Sequence, residues 1–135
     1  MKALFADTFF FVAYLHPRES THPLADEYLT RRSEPIVTTI WVLVELGNFL
    51  SKYPSRCLFA PLVKSLRAEP RVEIIPAGDD LFDRATTRYR ERPDKRWSIT
   101  DCTSFLVMED RKLRRALTDD HHFEQAGFTI LLKTP

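Results

Sequence analysis

Residues 97–120, WSITDCTSFLVMEDRKLRRALTDD, contain the pattern that decides the fold. The apolar spacing of 100–110 predicts a helix, and the short apolar run 114–118 (RRALT) predicts a strand directly after it. Helices that alternate with short strands are typical of α/β folds, in which helices cover a largely parallel sheet. An acid stands near the start of the helix, and two acids follow the strand.

The same alternation extends over the rest of the chain. Four more apolar or β-branched runs predict strands at 2–6, 35–38, 71–76 and 128–132. Helical spacing occurs at 8–15, 23–33, 39–53, 56–69 and 79–92, with a short helix at 120–126. We therefore predict a three-layer α/β/α architecture with a mostly parallel sheet of about five strands. A length of 135 residues, 44% of them hydrophobic, fits a single domain over residues 1–135.

Composition and charge limit the classes of function. Lys plus Arg (20) nearly balance Asp plus Glu (19), so a formal net charge of +1 excludes a globally basic nucleic-acid coat and leaves only a local patch. Cys57 and Cys102 have no metal-ligand spacing and do not indicate a disulfide framework. No apolar run approaches the ~20 residues of a membrane span, and the MKALFAD start lacks a signal-peptide core. We expect a soluble, cytoplasmic protein with no membrane partner.

Four carboxylates lie where active sites of parallel sheets form, beyond the carboxyl ends of the strands or on the neighbouring helices. Asp7 follows the first strand, Asp120 follows RRALT, Asp101 begins a helix, and Glu45 interrupts the apolar stretch 40–50. A carboxylate beside buried surface is costly unless something compensates its charge. The joint placement of four such acids therefore suggests a shared cation.

Glu45 is the most informative of the four on sequence grounds. We expect it to lie close to buried Val42, Leu46 and Phe49 on its helix. Burial alone would raise the pKa of this carboxyl group, whereas a bound cation would keep the group ionised.

Oxygen ligands of this kind suit Mg²⁺ or Mn²⁺. Zinc has less support, because His121 and His122 are adjacent rather than four residues apart. Water held by such a metal is acidified and aligned for in-line attack on phosphorus. The pattern therefore indicates a metal-dependent phosphodiesterase.

Four stretches resemble the PIN domain family and, within it, the VapC-type toxins of toxin–antitoxin pairs. They are FADTFFFVAYL (5–15), WVLVELGNFL (41–50), RWSITDCTSFLVM (96–108) and ALTDDHHFEQAGF (116–128). The resemblance implies that Asp7, Glu45 and Asp101 are metal-site acids. The family pattern Thr-x-Asp-x-His-Phe falls on residues 118–123, which makes Asp120 the fourth acid and puts Asp119 in the variable position.

The resemblance also implies an activity and partners. These are Mg²⁺- or Mn²⁺-dependent endonucleolytic cleavage of RNA, a homodimer, and a small antitoxin whose tail blocks the substrate groove. The helices at 23–33 and 39–53 carry apolar residues that would supply the dimer and antitoxin surfaces.

Other functions remain open. A PIN-like module could bind RNA or protein without cutting. A phosphoacceptor domain would need an acidic pair near the first strand, and a haloacid-dehalogenase-type phosphatase would need Asp-x-Asp there. Asp7-Thr8-Phe9 fits neither class.

Several polar and aromatic residues allow two interpretations. Thr8, Thr100 and Thr118 could hydrogen-bond a metal ligand or cap a helix. His121 and His122 could assist proton transfer, although a structural role in holding the helix after Asp120 is favoured. The triplet 9–11 (FFF) and Trp41 could stack on bases, but core or dimer packing is expected.

Two basic clusters allow the same choice between function and solvation. Arg84, Arg88 and Arg92 share one helical face, which Lys95 and Arg96 extend, and residues 111–115 hold a second cluster. The first could steer RNA phosphates toward the acids, but a solvated helix face is favoured.

Overall fold

The computed structural model describes residues 2–133 and contains a five-stranded sheet. Its strand order is β3-β2-β1-β4-β5, and every pairing is parallel. The predicted α/β fold is confirmed. The expected single domain, 1–135, stays a prediction, and residues 1, 134 and 135 lie outside the described range. The strands are β1 (Leu4–Ala6), β2 (Ile36–Thr39), β3 (Val72–Ile75), β4 (Arg115–Leu117) and β5 (Thr129–Ile130).

In the described range, 2–133, seven α-helices connect and follow the strands. Those predicted at 39–53 and 56–69 are shorter than expected, because residues 50–58 form a turn and a 3₁₀ helix (Ser55–Leu58) around Pro54, which has no N–H to continue a helical ladder. The helices are α1 (Thr8–Leu15), α2 (His22–Thr30), α3 (Ile40–Phe49), α4 (Phe59–Ala68), α5 (Asp79–Glu91), α6 (Ile99–Arg111) and α7 (His121–Gln125).

The central strand β1 is covered on both faces. Leu4, Phe5 and Ala6 are all fully buried, although successive strand side chains point to opposite faces of the sheet. Packing on both faces makes the sheet the middle layer of the molecule. Within residues 2–133, no helix is long and apolar enough to cross a membrane.

Strand order brings the site-bearing chain segments together. Because β1 lies between β2 and β4, Asp7 after β1 and Thr118 after β4 are neighbours at the carboxyl edge of the sheet. Helix α3 begins at the same edge, directly after β2, and Thr39 caps it by accepting a hydrogen bond from the Val42 N–H (3.0 Å).

An aromatic cluster packs α7 against the sheet and α6 near this carboxyl edge. Phe123 is fully buried, and its ring lies 4.9 Å from that of Phe105 on α6 and 6.3 Å from that of Phe5 on β1. The short helix that follows Asp120 is thereby held against both the sheet and α6. This packing agrees with the structural role that the sequence favoured for residues 120–123, which is to hold the helix after Asp120 in place.

The exposed apolar surface differs in part from the expectation. We predicted it on the helices at 23–33 and 39–53, but among residues 2–133 α2 exposes no large apolar side chain. On α3, apolar side chains within the predicted range 39–53 are exposed as expected, namely Val44 and Phe49. Phe82 on α5 and Ile99 at the start of α6 are exposed in addition, and the Trp41 ring lies 5.9 Å from that of Phe82. We call Trp41, Val44, Phe82 and Ile99 the apolar patch.

Candidate active site

Asp7 is the most buried of the four predicted acids, with 5% of its surface exposed. It occupies the N-cap position of α1, but its side chain makes no capping hydrogen bond to the first turn. Burial is the main cause that raises the pKa of Asp7 to about 8; the negative charges of Asp101 and Glu45 contribute to this increase, and the hydrogen bond from the Thr8 backbone N–H opposes it. Asp7 therefore lies near Asp101 and Glu45, and its carboxyl group resists ionisation without a counter-charge.

Thr118 connects the ends of β1 and β4. Its hydroxyl donates to Asp7 Oδ2 (3.1 Å) and accepts from the Asp120 backbone N–H (3.1 Å). Thr118 is fully buried, so this bridge holds the two acids in a fixed relation.

Asp101 is buried in the first turn of α6 but is not the residue that caps it. The N-cap is Ser98, whose hydroxyl accepts from the Asp101 N–H (2.9 Å), while Asp101 Oδ2 accepts from the Ser98 N–H (3.0 Å). This capping box corrects the expectation that Asp101 starts the helix. Burial raises the pKa of Asp101, and repulsion from Asp120 adds to the increase.

His122 links Asp101 to Asp120. Its Nδ1 lies 3.2 Å from Asp101 Oδ2 and 3.5 Å from Asp120 Oδ1. Asp120 Oδ1 also accepts from the His122 backbone N–H (2.9 Å) and so caps α7. The sequence had suggested a structural role for this histidine but had not indicated that it contacts two of the acids.

Glu45 is only half-buried, and Asp7 is the most buried of the four acids. The Thr8 hydroxyl donates a hydrogen bond to Glu45 Oε1, which favours the metal-ligand interpretation of this threonine over capping. Val42 and Leu46 are buried as expected, but Phe49 is 64% exposed because it ends α3 beside an open cavity.

An open cavity of about 610 Å³ collects most of these groups. Asp101 does not line the cavity and reaches the cluster through His122. The lining residues are Asp7, Thr8, Phe9, Val12, Glu19, Glu45, Phe49, Asp119, Asp120 and His121. Glu19, which the sequence gave no reason to select, adds one more acid to this wall.

The structure distinguishes Asp119 from Asp120. Asp120 is half-buried and contacts His122, whereas Asp119 is exposed at the cavity rim. Partial desolvation raises the pKa of Asp119, and the charges of Asp120 and Glu19 contribute. The geometry therefore places Asp120, the residue matched to the family pattern, nearer to the other acids.

Few basic side chains pair with the acid cluster, by which we mean Asp7, Glu45, Asp101 and Asp120. Within residues 2–133, the ion pairs of the four predicted acids involve only His121 and His122. Ligand atoms of Asp120, His121 and His122 lie within 4.8 Å of one another, a grouping that the sequence did not predict. Because His122 Nδ1 already faces Asp101, a hard cation held by carboxylate oxygens fits this donor set better than a closed zinc site.

Arg84 and Arg88 on α5 and Arg92 directly after it, which we call the arginine stripe, pair with acids that do not line the cavity. Arg84 pairs with Asp110 (2.8 Å) and Arg88 with Glu109 (2.8 Å), both bidentate contacts to α6, and Arg92 pairs with Asp94 (2.9 Å). These contacts support the interpretation of the stripe as a solvated helix face rather than as a surface that steers RNA phosphates.

Comparison with known proteins identifies the family to which the chain belongs. The family model described as "PIN domain" matches residues 4–129. The chain belongs to the PIN domain family. This PIN domain is 28% identical over 126 residues to the 23S rRNA-specific endonuclease VapC20 of Mycobacterium tuberculosis, covering 93% of this chain and 95% of that protein. PIN nucleases generally use divalent metal ions.

Solved structures share the fold. The crystal structure of M. tuberculosis VapC20, described as a sarcin-ricin loop cleaving toxin, superposes with a TM-score of 0.81 at 24% identity, covering 93% of this chain and 96% of that one. VapBC2 from Rickettsia felis bound to a promoter DNA fragment gives a TM-score of 0.64 at 14% identity, covering 96% and 97% of the two chains. The predicted PIN and VapC resemblance is confirmed, as is the predicted nuclease class.

Proposed function

We propose that this PIN domain is a Mg²⁺- or Mn²⁺-dependent endoribonuclease that hydrolyses RNA phosphodiester bonds as the toxin of a toxin–antitoxin pair. The observation that carries the proposal is the meeting of four acids at one edge of the sheet: Asp7, Glu45 and Asp120 line one open cavity, and Asp101 reaches them through His122. The VapC20 relative, an rRNA-specific endonuclease, supports RNA as the substrate class.

The donor set fits a hard divalent cation. Asp7 is buried, adjacent to two negative charges, and free of any lysine or arginine ion pair in the part of the chain described. A cation held by Asp7, Glu45, Asp101 and Asp120 would supply the missing positive charge. When bound, such an ion neutralises phosphate charge and makes its water more acidic.

The remaining residues orient the acids. Thr8 holds Glu45, Thr118 holds Asp7, and His122 holds Asp101 toward Asp120. Hydrogen bonds of this kind fix ligand orientation and tune ligand basicity. Within residues 2–133 we find no Ser–His or Cys–His hydrogen bond around the acids. Cys102 is buried, and burial raises the pKa of its thiol to about 11. We therefore assign Asp7, Glu45, Asp101 and Asp120 as metal-site and catalytic residues.

We propose two protein partners. A cognate antitoxin is supported by the solved VapBC relatives and by an apolar groove of about 590 Å³ between α1, α2 and α4, lined in part by Leu15, Leu29 and Leu62. A second copy of the chain is supported by the apolar patch, where the buried Trp41 Nε1 has no hydrogen-bond partner within residues 2–133. We also propose that the protein acts in the cytoplasm, where RNA substrates occur.

The test in cells is sequencing of RNA ends after brief expression of the wild type and of Asp101→Asn. We expect new ends at a small number of sites with the wild type and none of them with the variant. Identical end profiles for the two proteins would contradict the proposal and favour a PIN-like module that binds without cutting.

A further inference from the structure

Phe49 lies in an unusual environment for a phenylalanine. It is the last residue of α3, and 64% of its surface is exposed. Large aromatic side chains contribute most to stability when buried, so an exposed ring at a cavity rim favours a role in binding.

The ring shares its cavity with the acid cluster. Phe49 is four residues after Glu45, which places both side chains on one face of α3. Phe9 and Val12 on α1 line the same cavity as Phe49, Asp7 and Asp120. The cavity therefore has an acidic wall and an apolar, aromatic wall.

This pairing fits one chemical class of ligand. An RNA nucleotide carries a phosphate and a flat apolar base a few ångströms apart, and unpaired bases stack on aromatic side chains in many RNA-binding proteins. The described residues that line the cavity include no lysine or arginine, so the protein makes no permanent positive contact with the phosphate there. The aromatic wall offers a nucleobase a flat apolar surface, which the carboxylates of the acidic wall do not.

The other aromatic residues considered from sequence suit this role less well. Phe9 lines the same cavity but is half-buried. Phe10 and Phe11 are fully buried, and Trp41 packs against Phe82 in the apolar patch. Phe49 remains as the most exposed ring beside the acids.

We propose that Phe49 stacks on an unpaired nucleobase next to the cleaved phosphodiester and is a positioning residue that sets substrate affinity. The inference rests on the proposed ribonuclease function. It adds a specific contact that none of the four acids can make.

Cleavage kinetics test the role in affinity. Phe49→Ala and Phe49→Leu should each raise KM for a single-stranded RNA about tenfold with kcat within about threefold, because stacking is lost while the acids are unchanged. Phe49→Trp should retain the wild-type KM within about threefold, since its ring stacks as well. Tyr89→Ala is the matched control, because Tyr89 is an exposed aromatic on α5 that does not line the cavity. Thermal melts should show all variants folded.

Fluorescence tests stacking separately from cleavage. RNA oligonucleotides with 2-aminopurine at successive positions are mixed with protein and Mg²⁺ and followed from the first milliseconds. We expect quenching at one position with the wild type and Phe49→Trp, and none with Phe49→Ala or Phe49→Leu.

The outcomes separate the two proposals. Cleavage by the wild type with a KM unaffected by Phe49→Ala, or with Phe49→Leu equal to the wild type, would overturn stacking and leave the ribonuclease standing. Quenching that depends on Phe49 without any cleavage would support stacking and overturn the catalytic proposal. A wild type that neither quenches nor cleaves would overturn both.

Discussion

Asp7 is the acid of the site whose ionisation is most unfavourable without a bound cation. Its pKa rises from 3.8 to about 8 because the side chain is buried beside other acids. A carboxyl group with a raised native pKa contributes fully to stability below its unfolded pKa, and that contribution is lost as the pH rises through the native value. Without metal, we expect the melting temperature to fall by several degrees between about pH 5 and pH 8. Differential scanning fluorimetry in EDTA measures this change.

Asp7→Asn is the control for that pH dependence. The amide cannot ionise, so this variant should melt at a higher temperature than the wild type at about pH 8 in EDTA, and its pH slope should be shallower. Added Mg²⁺ should stabilise the wild type more than the variant, because only the wild type offers the carboxylate. Parallel pH slopes for the two proteins would show that Asp7 is not the titrating group.

His122 provides a test of how the acids are oriented. His122→Ala should lower cleavage about 10- to 100-fold, the usual effect of losing a residue that orients a metal ligand. His122→Asn should recover part of the activity, because its side-chain N–H₂ can replace the Nδ1 donor to Asp101. Single-turnover rates and Mg²⁺ titrations measure both effects. Equal rates for the alanine variant and the wild type would rule out this orienting role.

At the scale of elements, α5 and α6 are joined by ion pairs. Exposed pairs of this kind contribute about 0–1 kcal/mol each. Because Arg84 and Arg88 are bound to Asp110 and Glu109, the double variant Arg84→Ala/Arg88→Ala should change RNA cleavage less than about twofold. Its salt dependence should match that of the wild type. A large loss of RNA affinity, relieved by low salt, would instead assign the stripe to RNA steering.

The order of elements and the acids at their ends could be read from the sequence. Alternating strand and helix periods determine which residues follow each strand, and a parallel sheet brings those positions to one edge. Burial of individual side chains could not be read in the same way. Periodicity treated Phe49 as a core residue, but the neighbours that would cover it belong to α1 and leave a cavity there.

Contacts between side chains were also beyond the sequence. Adjacency of His121 and His122 gave no indication that one ring turns toward Asp101, because that contact depends on how Phe123 anchors α7 against α6. The contacts at the start of α6 were also not evident from the sequence. Aspartate is a residue type that favours the N-cap position, but the N-cap here is Ser98, three residues earlier, and Asp101 completes a capping box with it.

For the whole molecule, the apolar patch predicts a dimer. Phe82→Glu should convert a dimer to a monomer, because a charge in an apolar interface is costly while the exposed position leaves the fold unaffected. Tyr53→Glu is the matched control, since Tyr53 is more exposed than Phe82 and lies outside the patch. Light scattering coupled to size exclusion measures the mass. A wild type that stays monomeric at high concentration would contradict the dimer.

Metal-dependent cleavage by the purified protein tests the central claim most directly. Single-stranded RNA is incubated with the wild type and Asp101→Asn in Mg²⁺, in EDTA, and in EDTA followed by excess Mg²⁺. The variant should stay folded, because Ser98 remains the N-cap and an Asn side chain can still accept from its N–H. We expect wild-type cleavage to disappear in EDTA and return with Mg²⁺, and the folded variant to be at least about tenfold slower throughout. Cleavage that persists in EDTA, or a folded Asp101→Asn that cuts at the wild-type rate, would contradict the claim that these acids form a metal-dependent nuclease site.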